Sequence, residues 1–142
     1  MINLKEYENR DEVLQLLTEC MYPDEIRIIQ EYEQYLSNQS RVLLGIQADT
    51  GLIGLIGFIF LSKNSVELKH IAIKPKYRGQ GQGKKLINEC INQYNVISIE
   101  AETDKDAVNF YRKIGFEITT LGEKYPGVER FKCLLNYTMN KY

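Results

Sequence analysis

Several residue types are scarce in this chain of 142 residues, and their scarcity narrows the classes of protein it can belong to. Tryptophan is absent, histidine occurs once, and the three cysteines (Cys20, Cys90 and Cys133) are far apart with no C-x-x-C pair. Structural zinc sites use closely spaced Cys and His ligands, so we expect no metal. An odd number of cysteines and an N-terminus without an apolar leader are typical of a reducing, cytoplasmic setting.

Neither a charge excess nor a long hydrophobic run is present. The 18 basic and 19 acidic residues give a net charge of −1, so no strong field attracts nucleic acid or an anionic membrane. The longest apolar run, residues 52–61, is interrupted by glycine and is too short to span a bilayer. The composition is that of an ordinary globular protein, and the length fits one domain over residues 1–142.

The stretch from Val66 to Tyr94 carries the most information. Its first eight residues, VELKHIAI, are rich in apolar and β-branched side chains and predict a buried strand. A turn containing Pro75 ends that strand, because proline lacks the backbone donor that a sheet requires. The glycine-alternating loop 78–83 follows. It leads into a predicted helix whose apolar stripe consists of Leu86, Ile87, Cys90, Ile91 and Tyr94.

The position of this loop predicts an anion site. A helix N-terminus presents backbone N–H groups without intrahelical partners, and its dipole is positive. Three alternating glycines allow an anion to approach the backbone closely, while Arg78, Lys84 and Lys85 add positive charge. A glycine-rich turn with solvated lysines is the alternative, but we favour a phosphate or pyrophosphate ligand.

Two nucleotide-binding motifs do not fit the loop. In a P-loop, Gly83 and Lys84 would match, but Arg78 replaces the first glycine and Lys85 replaces the Ser or Thr that binds Mg²⁺. A dinucleotide fingerprint starting at Gly79 would need glycine in place of Lys84, and it normally lies in the first βα unit. A nucleotide-binding interaction domain is therefore disfavoured.

The rest of the chain yields further predicted elements. We expect a strand over 1–7, helices over about 9–20 and 25–36, and a hairpin of strands 41–48 and 52–61. After the helix that ends near Tyr94, we expect a strand over 95–101, a short helix capped by Asp104 that runs to about Ile114 and is ended by Gly115, and strands over 116–121 and 129–138.

Three motifs together resemble the GNAT superfamily of N-acetyltransferases, in which the Arg-x-x-Gly-x-Gly loop binds the pyrophosphate of acetyl-CoA. They are Arg78-x-x-Gly81-x-Gly83, the preceding His70-Ile71-Ala72-Ile73-x-Pro75, and the later Ala107-x-x-Phe110-Tyr111-x-x-x-Gly115-Phe116. The predicted order of elements is also that of the family. The resemblance implies an α/β fold with a mixed, mostly antiparallel central sheet, splayed parallel central strands and about four flanking helices.

The resemblance also implies how acetyl-CoA is bound. The pantetheine arm would pair with the backbone of the central strand, and the pyrophosphate would lie in the loop. Asparagine near Ala107 often contacts the cofactor in the family; here Thr103-Asp104 precede that residue and Asn109 follows it. The residues expected to bind the cofactor are Ile71, Ala72, Ile73, Arg78, Gly79, Gln80, Gly81, Gln82, Gly83, Lys84, Asn109 and Tyr111.

Tyr111 matches the tyrosine that acts as the general acid in the family, and a phenol can protonate the departing thiolate. Its place in an i, i+3, i+4, i+7 apolar stripe also fits a core residue with a satisfied hydroxyl. Glu67 is our first choice for the general base because family members that acetylate histones have a glutamate in this strand. Glu100, Glu102, His70 and a water molecule remain open alternatives.

The resemblance implies transfer of the acetyl group of acetyl-CoA to a primary amine by direct attack in a ternary complex. The acceptor is expected to be a small-molecule amine or an amine of a peptide or protein, bound near 21–23 and 123–128. A non-catalytic CoA-binding module of the same fold is the alternative. A strand at the C-terminal edge could also pair with a second copy, which leaves a homodimer open.

Overall fold

A computed structural model describes residues 1–137. These residues form four α-helices and seven strands. The helices are α1 (Arg10–Leu17), α2 (Glu25–Ser37), α3 (Gln82–Tyr94) and α4 (Val108–Ile114). The strands are β1 (Ile2–Asn3), β2 (Arg41–Ala48), β3 (Gly51–Phe60), β4 (Ser65–Ile73), β5 (Ser98–Asp104), β6 (Glu117–Tyr125) and β7 (Val128–Asn136). No helix in this part of the chain is long and apolar enough to cross a membrane.

All seven strands belong to one sheet in the order β1-β2-β3-β4-β5-β7-β6. Only the β4–β5 pair is parallel, and the other five neighbouring pairs are antiparallel. The connection from β4 to β5 runs through α3, as parallel neighbours require a crossover. The predicted fold class, a mixed and mostly antiparallel sheet with four flanking helices, is confirmed.

Each face of the sheet buries its own hydrophobic cluster. Helices α1 and α2 cover one face, where Leu16, Leu17 and Tyr35 pack on Leu43 and Leu55. Helix α3 covers the other face with its predicted stripe, and α4 adds Tyr111 to the same cluster. Each large apolar side chain in these clusters contributes about 1.5–3 kcal/mol by leaving water. Cys90 is buried in the second cluster, as its place in the predicted stripe indicated, and Cys133 is buried there as well.

Several predicted boundaries differ from the structure near the N-terminus. The first strand is only two residues long, because Asn3 caps a 3₁₀ turn over Leu4–Glu6 and the chain bends away. Helix α1 ends at Leu17 rather than near Cys20, and Thr18 is already its C-cap. Cys20 therefore lies beyond the helix, and the residue as a whole is exposed.

The second half of the chain also departs from the prediction. Strand β5 starts at Ser98 because Asn95, with a φ of 54°, forms the left-handed cap of α3. The same strand extends to Asp104, whose carboxylate accepts hydrogen bonds from the backbone N–H groups of Asp106 and Ala107. The predicted strand to Thr138 reaches one residue beyond those that the structure describes.

The C-terminal strand is not at an edge of the sheet. Strand β7 lies between β5 and β6, so β6 is the edge strand on that side. The expectation that the C-terminal strand offers an edge to a second copy was wrong. It failed because the last strand of the chain inserts beside β5 instead of adding outside β6.

Candidate active site

The parallel strands β4 and β5 separate soon after they meet. They pair only at Ser65–Ser98, Val66–Ile99 and Glu67–Glu100, and from Leu68 onward β4 has no partner on this side. We call the opening between residues 68–73 and 101–104 the β4–β5 gap. It lies at the carboxyl ends of two parallel strands, where ligands commonly bind in α/β proteins.

The alternation of β4 decides which backbone groups face this gap. Lys74 donates its N–H to Ile53 of β3 at 2.8 Å. Backbone groups of successive residues in a strand point to opposite sides, so those of Ala72 also face β3. The N–H and C=O groups of Ile71 and Ile73 therefore point away from β3. Ala72 is turned toward Leu55 of β3 and contributes only its buried methyl group. Of the three predicted strand contacts, Ile71 and Ile73 are the two with backbone groups directed into the gap.

The loop before α3 presents a row of free backbone donors. The first helical bond of α3 runs from Lys85 N–H to Gly81 O at 3.0 Å. The N–H groups of residues 79–84 have no hydrogen-bond acceptor among residues 1–137. Buried or clustered N–H groups are nearly always paired with something, and a phosphate oxygen suits a helix N-terminus. This arrangement fits the predicted pyrophosphate.

The glycines of this loop serve two different purposes. Gly79 and Gly81 have φ values of +75° and +78°, and a Cβ on either would meet no atom within 4 Å. They are required by the left-handed backbone, which side chains other than glycine adopt only with strain. Gly83 is buried, and its Cβ would lie 2.7 Å from the ring of Phe110. Gly83 therefore permits α3 and α4 to pack closely.

The side chain of Arg78 lies beside the gap. Its Nε donates to the carbonyl of Ile73 at 2.9 Å, and one terminal nitrogen contacts Glu19 Oε1 at 2.8 Å. The guanidinium thus connects β4 to the segment that follows α1. Lys84 is exposed, and Gln80 lies over Lys76 O at 3.5 Å. Gln82 Oε1 is buried at the start of α3 without a hydrogen-bond partner in residues 1–137.

Tyr111 lies between two aromatic neighbours. The rings of Phe110 and Phe116 are edge-on to it with centroids 5.2 Å away, and the residue is 5% exposed. Burial raises the pKa of this phenol, and nearby Cys133, Cys20 and Asp104 add to the effect. No group among residues 1–137 forms a hydrogen bond with the hydroxyl. Both predicted roles, general acid and core residue, place this ring in the apolar cluster, where the structure has it.

Cys20 also belongs to this site. Its thiol donates to Leu17 O at 3.6 Å and lies near the backbone of Ile71, and a charge on the thiol would affect both Tyr35 and Tyr111. Although the residue as a whole is exposed, its sulfur is partly buried against α1, and this burial raises the pKa of the thiol to about 12, so the thiol is protonated at neutral pH. Only the adjoining break at Met21–Pro23 hinted that Cys20 would leave the helix.

The glutamate candidates share one face of the sheet, opposite α3. Glu67 and Glu100 are register partners on the parallel strands, which places their side chains next to each other. Each carboxylate has a lysine nearby, Lys69 at 3.5 Å from Glu67 and Lys132 at 3.9 Å from Glu100.

Glu102 is the most firmly held of the three glutamates. Its carboxylate accepts from Arg130 Nε at 3.0 Å and contacts Lys124 at 3.4 Å. The Arg130 hydrogen bond, with the charge of Lys124, lowers the pKa of Glu102. A carboxylate stabilised in this way is a weaker proton acceptor than one with an ordinary pKa.

His70 has an unexpected partner in α2. Its Nδ1 lies 2.5 Å from the hydroxyl of Tyr35, a fully buried residue on the apolar side of that helix. Burial lowers the pKa of His70 to about 4, so the ring is neutral at physiological pH. No sequence signal links positions 35 and 70, because the pairing depends on how α2 lies across the sheet.

The remaining predicted contacts lie at the surface. Asn109 is exposed, and its Oδ1 accepts from Arg112 at 2.5 Å. Tyr22 and Tyr125, in the two segments expected to line an acceptor pocket, are 79% and 69% exposed. No group of three or more His, Cys, Asp or Glu side chains in the described part of the chain could hold a metal ion.

Comparisons with known proteins identify the family. The profile of the acetyltransferase (GNAT) domain matches residues 8–130. This chain belongs to that family. The N-alpha-acetyltransferase RimI of Mycobacterium tuberculosis is 27% identical over 100 residues, which cover 66% of this chain and 63% of the relative. The matches span only 28% to 63% of the length of the first three relatives.

Solved structures share the fold. An aminoglycoside 6'-N-acetyltransferase complexed with coenzyme A superposes with a TM-score of 0.74 at 18% identity, over 96% of this chain and 97% of the other. A GNAT family acetyltransferase from Elizabethkingia anophelis with acetyl-CoA bound gives a TM-score of 0.65 at 22% identity, over 86% and 88%. At these identities the likeness concerns the fold.

Proposed function

We propose that this protein is a cytoplasmic N-acetyltransferase, a single domain over residues 1–142 that transfers the acetyl group of acetyl-CoA to a primary amine. The observation that carries the proposal is the conjunction of two features. Among residues 1–137, the N–H groups at the start of α3 are unpaired and fit a pyrophosphate, and the edge of β4 beyond Glu67 is unpaired and could bind the pantetheine arm.

The chemistry needs few groups from the chain. Acetyl-CoA supplies an activated acetyl group; the amine nitrogen forms the new C–N bond, and the C–S electron pair leaves on sulfur. The Ile71 N–H stabilises the negative charge that develops on the carbonyl oxygen. Tyr111 gives its proton to the departing sulfur, and Glu67 takes the proton that the nitrogen loses.

We also propose that no acyl-enzyme forms. Cys20 is the nucleophilic side chain beside Ile71, and burial raises its pKa to about 12. The thiolate is the reactive form of cysteine, so a thiol with this pKa is a poor nucleophile at neutral pH. Direct attack by the amine is the route that this chemistry favours, and Cys20→Ala is expected to keep turnover within a few-fold of the wild type.

The amine acceptor is either a small molecule or a peptide or protein. Relatives support both classes, since one is named a peptidyl-lysine N-acetyltransferase and a structural neighbour an aminoglycoside 6'-N-acetyltransferase. The carboxylates of Glu67, Glu100 and Glu102, on one face beside the gap, would attract a cationic amine.

The proposal is tested by measuring CoA release from acetyl-CoA in the presence of a panel of primary amines, together with calorimetric titration of CoA. We expect saturable CoA binding and amine-dependent release of free thiol. CoA binding without turnover on any amine would favour the alternative, a non-catalytic CoA-binding module. Absence of CoA binding at millimolar concentration would overturn both.

A further inference from the structure

The hydrogen bond between Tyr35 and His70 has a donor and an acceptor that can be assigned. Tyr35 is fully buried, and its ring lies across Gly57 of β3 so closely that any Cβ there would collide with the phenol. Arg41 is stacked on the same ring, with its guanidinium carbon 5.1 Å from the centroid. Packing on both sides fixes the direction of the hydroxyl, which ends 2.5 Å from His70 Nδ1.

The buried hydroxyl of Tyr35 needs an acceptor for its hydrogen bond. Among residues 1–137, His70 Nδ1 is the acceptor it reaches, and an unpaired buried O–H would be costly. If Nδ1 carried the proton instead, the phenol hydrogen would have no acceptor. The favourable arrangement therefore has Tyr35 O–H donating to Nδ1, with the single proton of the neutral imidazole on Nε2.

The charged groups around the ring keep it neutral. Burial lowers the pKa of His70 most strongly; Glu31 raises it, while Arg41 and Lys69 lower it. Glu31 is itself bound by Arg41 at 2.7 Å, which offsets its attraction for a proton on His70. With Tyr35 also facing the ring, no group around His70 carries an uncompensated negative charge.

His70 is one of the β4 residues that border the β4–β5 gap. His70 directly precedes Ile71, lies on the α1–α2 face with Tyr35, and is partly exposed. Because the hydroxyl of Tyr35 occupies Nδ1, Nε2 is the ring nitrogen left to bind a ligand. Nε2 has no hydrogen-bond partner in the part of the chain that the structure describes.

We propose that Tyr35 is a positioning residue that holds His70 as the Nε2–H tautomer, so that His70 donates a hydrogen bond to an oxygen of the amine acceptor. His70 then recognises the acceptor and does not take the proton from its nitrogen. The site would prefer amines that carry a carbonyl or hydroxyl oxygen close to the nitrogen, such as an α-amino amide, over alkyl amines without oxygen. The role of His70 in acceptor recognition rests on the proposed function, whereas the tautomer of its ring does not.

The tautomer is read directly by nitrogen NMR on protein with ¹⁵N-labelled histidine. The chain contains one histidine, so its two ring nitrogens need no assignment among others. We expect a protonated Nε2, an unprotonated Nδ1 and a titration midpoint near 4. Tyr35→Phe should mix the tautomers and raise the midpoint, whereas Tyr32→Phe on the same helix should change neither. A protonated Nδ1 in the neutral ring of the wild type would overturn the proposal.

The role of the donor is read from substrate preference, with an α-amino amide compared against an alkyl amine of equal length. His70→Gln keeps an N–H donor and should retain most of the preference, while His70→Ala should lose it by raising KM for the amide roughly tenfold. If both variants lose the same fraction of activity toward every amine, His70 acts on the thioester or removes a proton. That result would overturn the recognition role. If no amine is acetylated at all, the proposed function fails while the NMR result stands.

Discussion

Gly83 in α3 lies directly against the ring of Phe110 in α4, where a Cβ would be 2.7 Å from a ring carbon. The two helices that flank the candidate active site are therefore in contact through a glycine and an aromatic ring. Phe110 in turn packs edge-on against Tyr111. The position of the candidate general acid thus depends on the absence of a side chain at residue 83.

We expect Gly83→Ala to destabilise the protein by about 1–3 kcal/mol, because overpacking displaces a ring within a close-packed core. Gly81→Ala is the matched control, since a Cβ there meets nothing and costs about 1–2 kcal/mol of left-handed strain. Chemical unfolding measures stability, and calorimetry measures CoA affinity. Gly83→Ala should also lower turnover, whereas Gly81→Ala should mainly weaken CoA binding. Identical profiles for the two variants would contradict this separation.

The side chain of Arg78 gives a second prediction. Its Nε donates to Ile73 O, so Arg78→Ala should remove a hydrogen bond that connects the loop to β4. We expect this change to weaken CoA binding about tenfold. Glu19→Gln removes only the exposed ion pair, in which the side chains are 52% and 30% exposed. Such pairs contribute about 0–1 kcal/mol, so stability should not change measurably.

The same Glu19→Gln variant should bind CoA slightly more tightly, because a carboxylate near an anionic ligand is removed. Titration at low and moderate salt checks this, since the gain should shrink as salt screens the charge. A marked loss of CoA affinity in Glu19→Gln would show that the ion pair itself organises the site.

The sequence was sufficient for much of this structure. Apolar periodicity and turn residues gave α3, the β2–β3 hairpin and the cap at Gly115, because local backbone preference and burial agree there. The glycine loop was identified from residue spacing. The separate roles of its glycines could not be identified in that way. Only the structure shows that Gly83 faces Phe110, while Gly79 and Gly81 allow the left-handed backbone of the loop.

The parts that the sequence could not supply are long-range. Strand β7 enters beside β5, which no local pattern specifies. Cys20 and Tyr35 look like core residues by spacing, yet the first faces the backbone of Ile71 and the second binds His70. Both relationships join residues about 35 or more positions apart, and they depend on how α1 and α2 cross the sheet.

Tyr111→Phe separates catalysis from packing. The ring would keep its contacts with Phe110 and Phe116, and the lost hydroxyl has no partner in the described structure. We expect unchanged stability and CoA affinity, with kcat reduced about 10²- to 10³-fold, as is typical when a general acid is removed. Tyr94→Phe, in the aromatic cluster with Phe58, is the control and should leave kcat unchanged. Full activity in Tyr111→Phe would assign the proton to another group.

The three glutamates can be distinguished by neutral isosteric substitution. Glu67→Gln should reduce kcat/KM at neutral pH about 10²-fold, because Glu67 is the proposed base. Glu102→Gln should leave kcat/KM nearly unchanged and instead loosen the β6–β7 hairpin, since Arg130 and Lys124 bind that carboxylate. Unchanged kcat/KM in Glu67→Gln, together with a large loss in Glu100→Gln, would transfer the role to its register partner.

The stability of the fold should depend on pH through His70. Burial lowers its pKa from 6.5 to about 4, so between these values the unfolded chain binds a proton that the folded chain does not. Proton uptake by the unfolded state means that stability decreases as pH falls through this window.

At about 1.4 kcal/mol per pKa unit, the loss from pH 7 to pH 4.5 should be about 2 kcal/mol, allowing for partial exposure of the ring. The carboxylates with lowered pKa values, Glu12, Glu31 and Glu102, contribute in the same direction but mainly below pH 4.5. Urea unfolding across pH 4.5–7 measures the slope, which should nearly vanish in His70→Gln because glutamine does not titrate. A wild-type slope that survives this substitution would mean that another group, and not the Tyr35-bound imidazole, is buried in its neutral form.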